Sequence, residues 1–351
     1  MIQLIAVISM KCKKKKVLVR IVLSLMILWA VIALIPRSKN IKGVNPLISN
    51  PPILISHGGG NKEFPDNTLE AFYNSYYIDP NCMMETDVSI TKDNVVILSH
   101  DTTLDRKTSL INQDIIDINY SYLMENEIDF GYENEVYPNS NGYNTSGKLT
   151  KYVNYQNNQV SPLDVNYPSG IFPRHSTVFL ATTLEQLIKA FPNNLINVEI
   201  KQSGEVGIKA LRQTIALMEA LDQEYHTFSR IVLASFHDEV FQELKEIQKN
   251  NHPELLYSPE TNGVIKYFVM QLTMTDLFYR DKVAVLQVPM EQSGIKLATP
   301  NFIRTAHRHN IAVHYWTVDD KEDMKYLIRI GADGIMTNIP SLLKTVIEEN
   351  S

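Results

Sequence analysis

Leu195-Ile196-Asn197-Val198-Glu199-Ile200-Lys201 opens the stretch whose reading decides the fold. This short β-rich run is followed by an amphipathic span, Val206–Leu221. A second run, Ile231–Ser235, precedes a second amphipathic span, Glu239–Lys249, and then comes a third run, Leu255–Tyr257. Repeated strand–helix alternation implies a parallel sheet with crossover helices. The same rhythm extends outward. Ile53–Ser56 and Met83–Ser89 lie on the N-terminal side, and Val283–Val288, Ile311–Thr317 and Gly334–Thr337 on the C-terminal side. Leu184–Phe191, Phe302–His309 and Met324–Ile330 supply further helical patterns. Eight such strands over about 300 residues predict an α/β fold of the (β/α)8 TIM-barrel type, not an open sheet. No G-x-G-x-x-G or Walker pattern is present.

One long interruption follows the second strand. Residues 102–181 carry eight of the seventeen tyrosines, many Asn, Ser and Gly, and no long apolar period. A loop of this length inside a compact domain usually has a function. It is read as an insertion that caps the mouth of the barrel.

The chain has 351 residues, 44% of them hydrophobic, enough for a large core. Two cysteines, Cys12 and Cys82, exclude a disulfide framework and a Cys-rich zinc site. Residues 1–42 hold nine of the 33 Lys/Arg and no Asp or Glu. The rest sets 24 positive residues against 39 negative ones, a net −15. A body that acidic is not built for nucleic acid, whose phosphates need a basic surface. An anionic substrate would need a bound cation or a local basic group at its site.

The basic N-terminus precedes an apolar run, Val17–Ile35, broken only by Arg20. Nineteen residues at helical rise just cross a hydrocarbon core of roughly 30 Å. Lys11 and Lys13 to Lys16 should stay in the cytoplasm, which puts the remainder outside. Ala30 and Ala33 are two intervening residues apart and give no small-x-small cleavage site. The expected layout is therefore a cytoplasmic basic segment, an uncleaved transmembrane helix and a linker over residues 1–45, then the barrel over 46–351. The protein would be a single-pass cell-membrane protein with its catalytic domain extracytoplasmic.

The residues that carry chemistry fall at strand ends. Ile53–Ser56 ends at His57, which places an imidazole at the C-terminal mouth, where barrel active sites lie. Glu85 and Asp87 are two apart on the second strand and so share a face. Glu199 and Lys201 repeat that spacing on the third. Carboxylates facing a barrel interior need a partner, and a hard divalent cation would satisfy them. A second apolar run, Val95–Ser99, leads to His100-Asp101. Two histidines and a cation suit phosphodiester cleavage, with one imidazole as base and the other as acid.

In this order the motifs resemble the glycerophosphodiester phosphodiesterase family. His57-Gly58-Gly59 and Pro65-Asp66-Asn67-Thr68-Leu69-Glu70-Ala71-Phe72 are similar to its HRG…PENTLEAF opening. Glu85-Thr86-Asp87-Val88 and His100-Asp101-Thr102-Thr103-Leu104-Asp105-Arg106 are similar to its continuation. Val198–Lys201, Ala234-Ser235-Phe236, Trp316-Thr317-Val318 and Gly331–Pro340 follow. The resemblance implies a (β/α)8 barrel in which Glu85, Asp87 and Glu199 hold Ca²⁺ or Mg²⁺. It makes His57 and His100 the acid/base pair, puts Lys201 on the phosphate and lines the pocket with Trp316. The implied reaction releases glycerol 3-phosphate and an alcohol from a glycerophosphodiester. Lysophospholipase D-type cleavage and a non-catalytic envelope binding protein are the alternatives. Two positions depart from the family pattern: Gly58 stands where Arg is usual, and Asn338 where Asp is common.

Overall fold

The structure is a computed structural model. It describes residues 17–350 apart from 18, 25, 28, 33, 135, 140–141 and 146–148, and, of residues 136–139 and 142–145, the backbone alone. Eight parallel strands form the body: β1 (Ile53–Ser56), β2 (Met83–Ile90), β3 (Ile196–Ile200), β4 (Ile231–Ala234), β5 (Leu256–Tyr257), β6 (Val285–Val288), β7 (Ala312–Tyr315) and β8 (Gly334–Thr337). Their spatial order is β5-β4-β3-β2-β1-β8-β7-β6. The remaining seam, between β5 and β6, is bridged by the Ala284 N–H donating to the Tyr257 carbonyl at 2.9 Å. The result is a nearly closed barrel of the TIM type. Each strand is followed by an outer helix, from Leu69–Ile78 after β1 to Pro340–Glu349 after β8. β2 is buried along its whole length, its polar Glu85, Thr86, Asp87 and Ser89 included.

Local chemistry fixes the helix starts. The Thr68 hydroxyl accepts from the Ala71 N–H, Thr183 and Gln186 cap each other's backbones, and the Asp320 carboxylate caps Lys321–Ile330. Leu69–Ile78 carries a polar residue on its buried side. Glu70 is 1% exposed and is held by Arg174 at 3.1 Å.

The excursion is more structured than its composition suggests. Val96–Leu98 first folds back antiparallel on β2. Residues 102–181 then contain a helix, Tyr120–Glu125, and a hairpin, Val136–Asn139 with Gly142–Thr145. Two of its tyrosines touch the loop after β1: the Tyr152 hydroxyl donates to the Asn61 carbonyl at 2.8 Å, and the Tyr155 N–H donates to the Lys62 carbonyl at 2.8 Å. Tyr167 instead packs on Tyr73 of the first outer helix, with ring centroids 5.2 Å apart. Tyr137 and Tyr143 have side chains outside the described residues.

The stretch before β1 lies across the end of the barrel where the strands begin. Asn45 donates to the carbonyls of Ala284 and Asn310, one and two residues before β6 and β7. Leu47 is fully buried in a cluster with Ile55, Met83, Val232, Leu256, Val285, Ala312 and Met336. Burying one leucine in this way is worth about 1.5–3 kcal/mol. His314, buried on β7, places its Nε2 3.1 Å from the Leu47 carbonyl. Arg37 forms a buried pair with Asp276 at 2.5 Å.

Of the expected membrane span, Leu18, Leu25, Leu28 and Ala33 lie outside the described residues, as does the lysine cluster before Val17. Among the described residues, no helix is long and apolar enough to cross a membrane.

Candidate active site

The mouth at the C-terminal ends of the strands gathers most of the residues singled out above. β2 and β3 pair in parallel with Asp87 opposite Glu199 and Glu85 opposite Asn197. The period of two then turns Glu85, Asp87 and Glu199 to one place, where one oxygen from each lies within 4.8 Å of the others. Glu85 and Asp87 are each 2% exposed. Lys201 reaches into the group, with its Nζ 3.1 Å from Asp87 Oδ1 and 2.8 Å from Glu199 Oε1. Burial opposes the lysine's charge, yet Asp87 and Glu199 outweigh it and hold Lys201 above the ordinary lysine range. Burial, and then the neighbouring Asp87, push Glu85 up to about 7. Burial likewise raises Glu199, against the pull of Lys201.

This donor set fits a hard divalent cation. Glu85 and Asp87 are buried and Glu199 is partly so, and among the described residues Lys201 is the ammonium that pairs with them, which leaves more carboxylate than cation in a largely desolvated place. All three donors are carboxylate oxygens, the type that Ca²⁺ and Mg²⁺ take.

The two histidines line one cleft of about 310 Å³ together with Gly58, Asn67, Asp87 and Arg106. His57 Nδ1 lies 2.6 Å from Asn338 Oδ1. The Asn338 amide nitrogen is committed to Asp319 Oδ2 at 2.8 Å, so its oxygen is the acceptor and His57 Nδ1 the donor. That tautomer leaves His57 Nε2 unprotonated in the neutral imidazole. Burial works against charging His57, but Glu85, the Asn338 bond, Asp87 and Asp66 outweigh it and raise its pKa. His100 is half exposed, and its Nδ1 lies 3.0 Å from Asp101 Oδ1. The hydrogen bond to Asp101 is the main reason its pKa is raised. Arg106 Nε holds the other Asp101 oxygen at 2.5 Å.

Trp316 stands at the same end of the barrel but is not among the residues that line this cleft. It follows β7 and meets the half-exposed ring of Phe236, which follows β4, edge to face at 6.1 Å. The sequence reading passed over several residues that build the site. Asn67 donates to Asp87 Oδ2 at 3.0 Å and accepts from Thr86, which fixes the rotamer of Asp87. Asp66 is clamped by Arg106 at 3.1 Å and Lys107 at 2.7 Å, and these cations hold its carboxyl well below the usual range despite its burial. Asp319 links Lys62 to Asn338. The Pro-Asp-Asn-Thr string was visible as a motif. The Asn338–His57 bond spans 281 residues and had no local signal.

Gly58 has a backbone task. Its N–H donates to Glu85 Oε2 at 2.8 Å, and its φ is +55°. A Cβ there would meet Asp66 Cβ at 3.0 Å, and Asp66 is pinned by two cations. A left-handed conformation costs an L-residue on the order of 1–2 kcal/mol. Gly58→Ala and Gly58→Arg are therefore both expected to lower kcat/KM and the melting temperature, with the larger loss for Arg. A fall in KM confined to the Arg variant would mean that the missing guanidinium is a lost phosphate clamp.

Fold and site define the class first: a (β/α)8-barrel enzyme with two imidazoles and a cluster of three carboxylates at its C-terminal mouth. The family model described as the glycerophosphoryl diester phosphodiesterase family matches residues 57–342. The chain belongs to that family, and so to the phosphoric diester hydrolases. Lysophospholipase D GDPD1 of Mus musculus is 24% identical over 324 residues, covering 85% of this chain and 86% of its own. A glycerophosphodiester phosphodiesterase of Caldanaerobacter subterraneus subsp. tengcongensis is also 24% identical, covering 85% of this chain and 98% of its own. The crystal structure of a glycerophosphodiester phosphodiesterase from Thermotoga maritima superposes with a TM-score of 0.52 at 22% identity, over 83% of this chain and 96% of that one. At that identity the superposition speaks to the fold alone.

Proposed function

We propose that the protein hydrolyses glycerophosphodiesters to glycerol 3-phosphate and an alcohol, using His57 and His100 as base and acid and a divalent cation, Ca²⁺ or Mg²⁺, held by Glu85, Asp87 and Glu199. The observation that carries the reading is the pairing of two imidazoles, each fixed through Nδ1, across one cleft beside three clustered carboxylates, two of them buried. His57, with its proton parked on Nδ1 against Asn338, takes the proton of the attacking oxygen at Nε2. His100, stabilised as imidazolium by Asp101, gives its Nε2 proton to the departing alcohol as the phosphorus–oxygen bond breaks. The cation, when bound, neutralises phosphoryl charge and polarises its oxygens. Lys201 adds a positive charge beside it. Trp316 and Phe236 offer an aromatic wall to the organic part of the substrate.

Lysophospholipase D-type cleavage is the second reading, favoured by relatives such as the mouse protein. The panel that separates them is turnover of glycerophosphocholine, glycerophosphoethanolamine and lysophosphatidylcholine by the full chain in detergent. The small diesters are expected to have the highest kcat/KM. A preference for the lysolipid would transfer the assignment to the second reading, and no turnover of any would leave a non-catalytic binding protein.

The same reading takes the N-terminal segment as a single-pass anchor that leaves the barrel outside the cytoplasm. It is supported by the charge asymmetry of residues 1–42 and by the exposed apolar side chains of the described helical residues, among them Ile27, Trp29 and Leu34.

A further inference from the structure

The joint between the apolar segment and the barrel is tight, and it sits at one particular end. Only Pro36 separates Ile35 from Arg37. Arg37 is 7% exposed, donates to both carboxylate oxygens of Asp276 at 2.5 and 3.1 Å, and also donates to the Ile35 carbonyl at 2.8 Å. Asn40 N–H donates to the His309 carbonyl at 2.8 Å, and Asn310 donates to the carbonyls of Ile41 and Gly43. Asn45 and Leu47 then enter the barrel base as described. Asp276, His309, Asn310 and Ala284 all precede a strand, so the chain is fastened to the N-terminal end of the barrel at every step from Arg37 to Leu47.

The candidate active site is at the other end. His57 follows β1, His100 sits beside Asp87 near the top of β2, and Trp316 follows β7. The strands between the two ends set them apart by on the order of 10 Å, before the loops are added. A buried, bidentate ion pair two residues from the end of the apolar run leaves no slack for the body to roll over. Trp29 and Ile32 of the apolar segment also share a cleft of about 560 Å³ with Arg304 and Arg308 of the barrel's underside. Aromatic and basic side chains are the ones that favour a membrane–water interface.

We infer that the barrel stands on the membrane by its N-terminal end, with the catalytic cleft opening away from the bilayer, so that its substrates are water-soluble glycerophosphodiesters and not lysophospholipids of the membrane that anchors it. This rests on the proposed hydrolase and anchor readings and names the substrate class of that site. A lysophospholipid of the same leaflet keeps its phosphodiester at headgroup level, on the far side of the barrel from His57 and His100.

The experiment uses the full chain in phosphatidylcholine vesicles. Cys12 is replaced by serine; Cys82 is fully buried and its thiol is pushed up by burial, so it labels poorly. A single cysteine is placed at an exposed site on each end. Val44→Cys marks the base, 91% exposed, and Gln156→Cys marks the mouth, next to Tyr155 on Lys62. Each carries a fluorophore, and the vesicles contain lipid with a nitroxide on its headgroup, which quenches at short range. Emission at residue 44 is expected to fall and to recover when ascorbate reduces the nitroxide. Emission at residue 156 is expected to stay unchanged. Equal quenching at both sites overturns the orientation, and quenching at neither overturns the anchor. Turnover of glycerophosphocholine by the same vesicles is read in parallel. Its absence, there and in detergent, overturns the hydrolase reading whatever the quenching shows.

Discussion

His57→Ala and His100→Ala are each expected to lower kcat for glycerophosphocholine by at least about 10²-fold, the lower end of what a positioned acid or base contributes. The two variants differ in what else they disturb. His100 is half exposed, and among the described residues its ring bonds to Asp101. Removing it should leave the stability within the small range of surface substitutions, about ±0.5 kcal/mol. It is therefore the cleaner probe of chemistry. His57 is largely buried, and its loss strands the Asn338 oxygen, which costs about 1–3 kcal/mol on top of the kinetic defect. Turnover near wild type in a folded His100→Ala protein would remove that residue from the machinery. A His57→Ala protein that unfolds must be compared with Asn338→Ala, which loses the same bond but keeps the imidazole.

Removal of divalent metal is expected to abolish turnover, and Ca²⁺ or Mg²⁺ to restore it. The argument is electrostatic. Glu85, Asp87 and Glu199 bring oxygens within 4.8 Å of one another in a largely buried place, with Lys201 as their ammonium partner among the described residues. Burial and then Asp87 push Glu85 up to about 7, with His57 and the Gly58 N–H offsetting them only in part. A ligand that binds only the folded state stabilises it by RT ln(1 + [L]/Kd), about 2.7 kcal/mol at a hundredfold excess over Kd. Metal should therefore raise the melting temperature of the wild type, and Asp87→Asn should lose that rise. Full activity in protein shown by elemental analysis to be metal-free would end the proposal. An Asp87→Asn variant that kept the thermal shift would move the cation elsewhere.

Much of the barrel was legible because parallel strands buried on both faces read as short apolar runs, and all eight fall where the alternation puts them. Leu69–Ile78 was not marked as a helix, since buried Glu70 interrupts its apolar stripe. The role of residues 38–52 was hidden for a different reason. Leu47 is one of four apolar residues among Asn, Pro and Lys, and the closed barrel gives it an interior to fill. In the site, the spacing of two on β2 and β3 marked the carboxylates, because a strand's period is a local property. The partners that orient the histidines are another matter. Asp101 is adjacent to His100, whereas Asn338 meets His57 only once the last strand has been placed beside the first.

That pairing also has a meaning in time. β1 finds its neighbour β8 with Ile53 against Gly334, almost the whole length of the domain apart. A chain emerging from its N-terminus holds the first histidine early but cannot set that ring's proton until Asn338 arrives. Contacts so distant in sequence are slow to form. The base proposed for the site is thus dated by the end of the chain: a copy that stops short of residue 338 carries both histidines and all three carboxylates and lacks the bond that fixes the His57 proton.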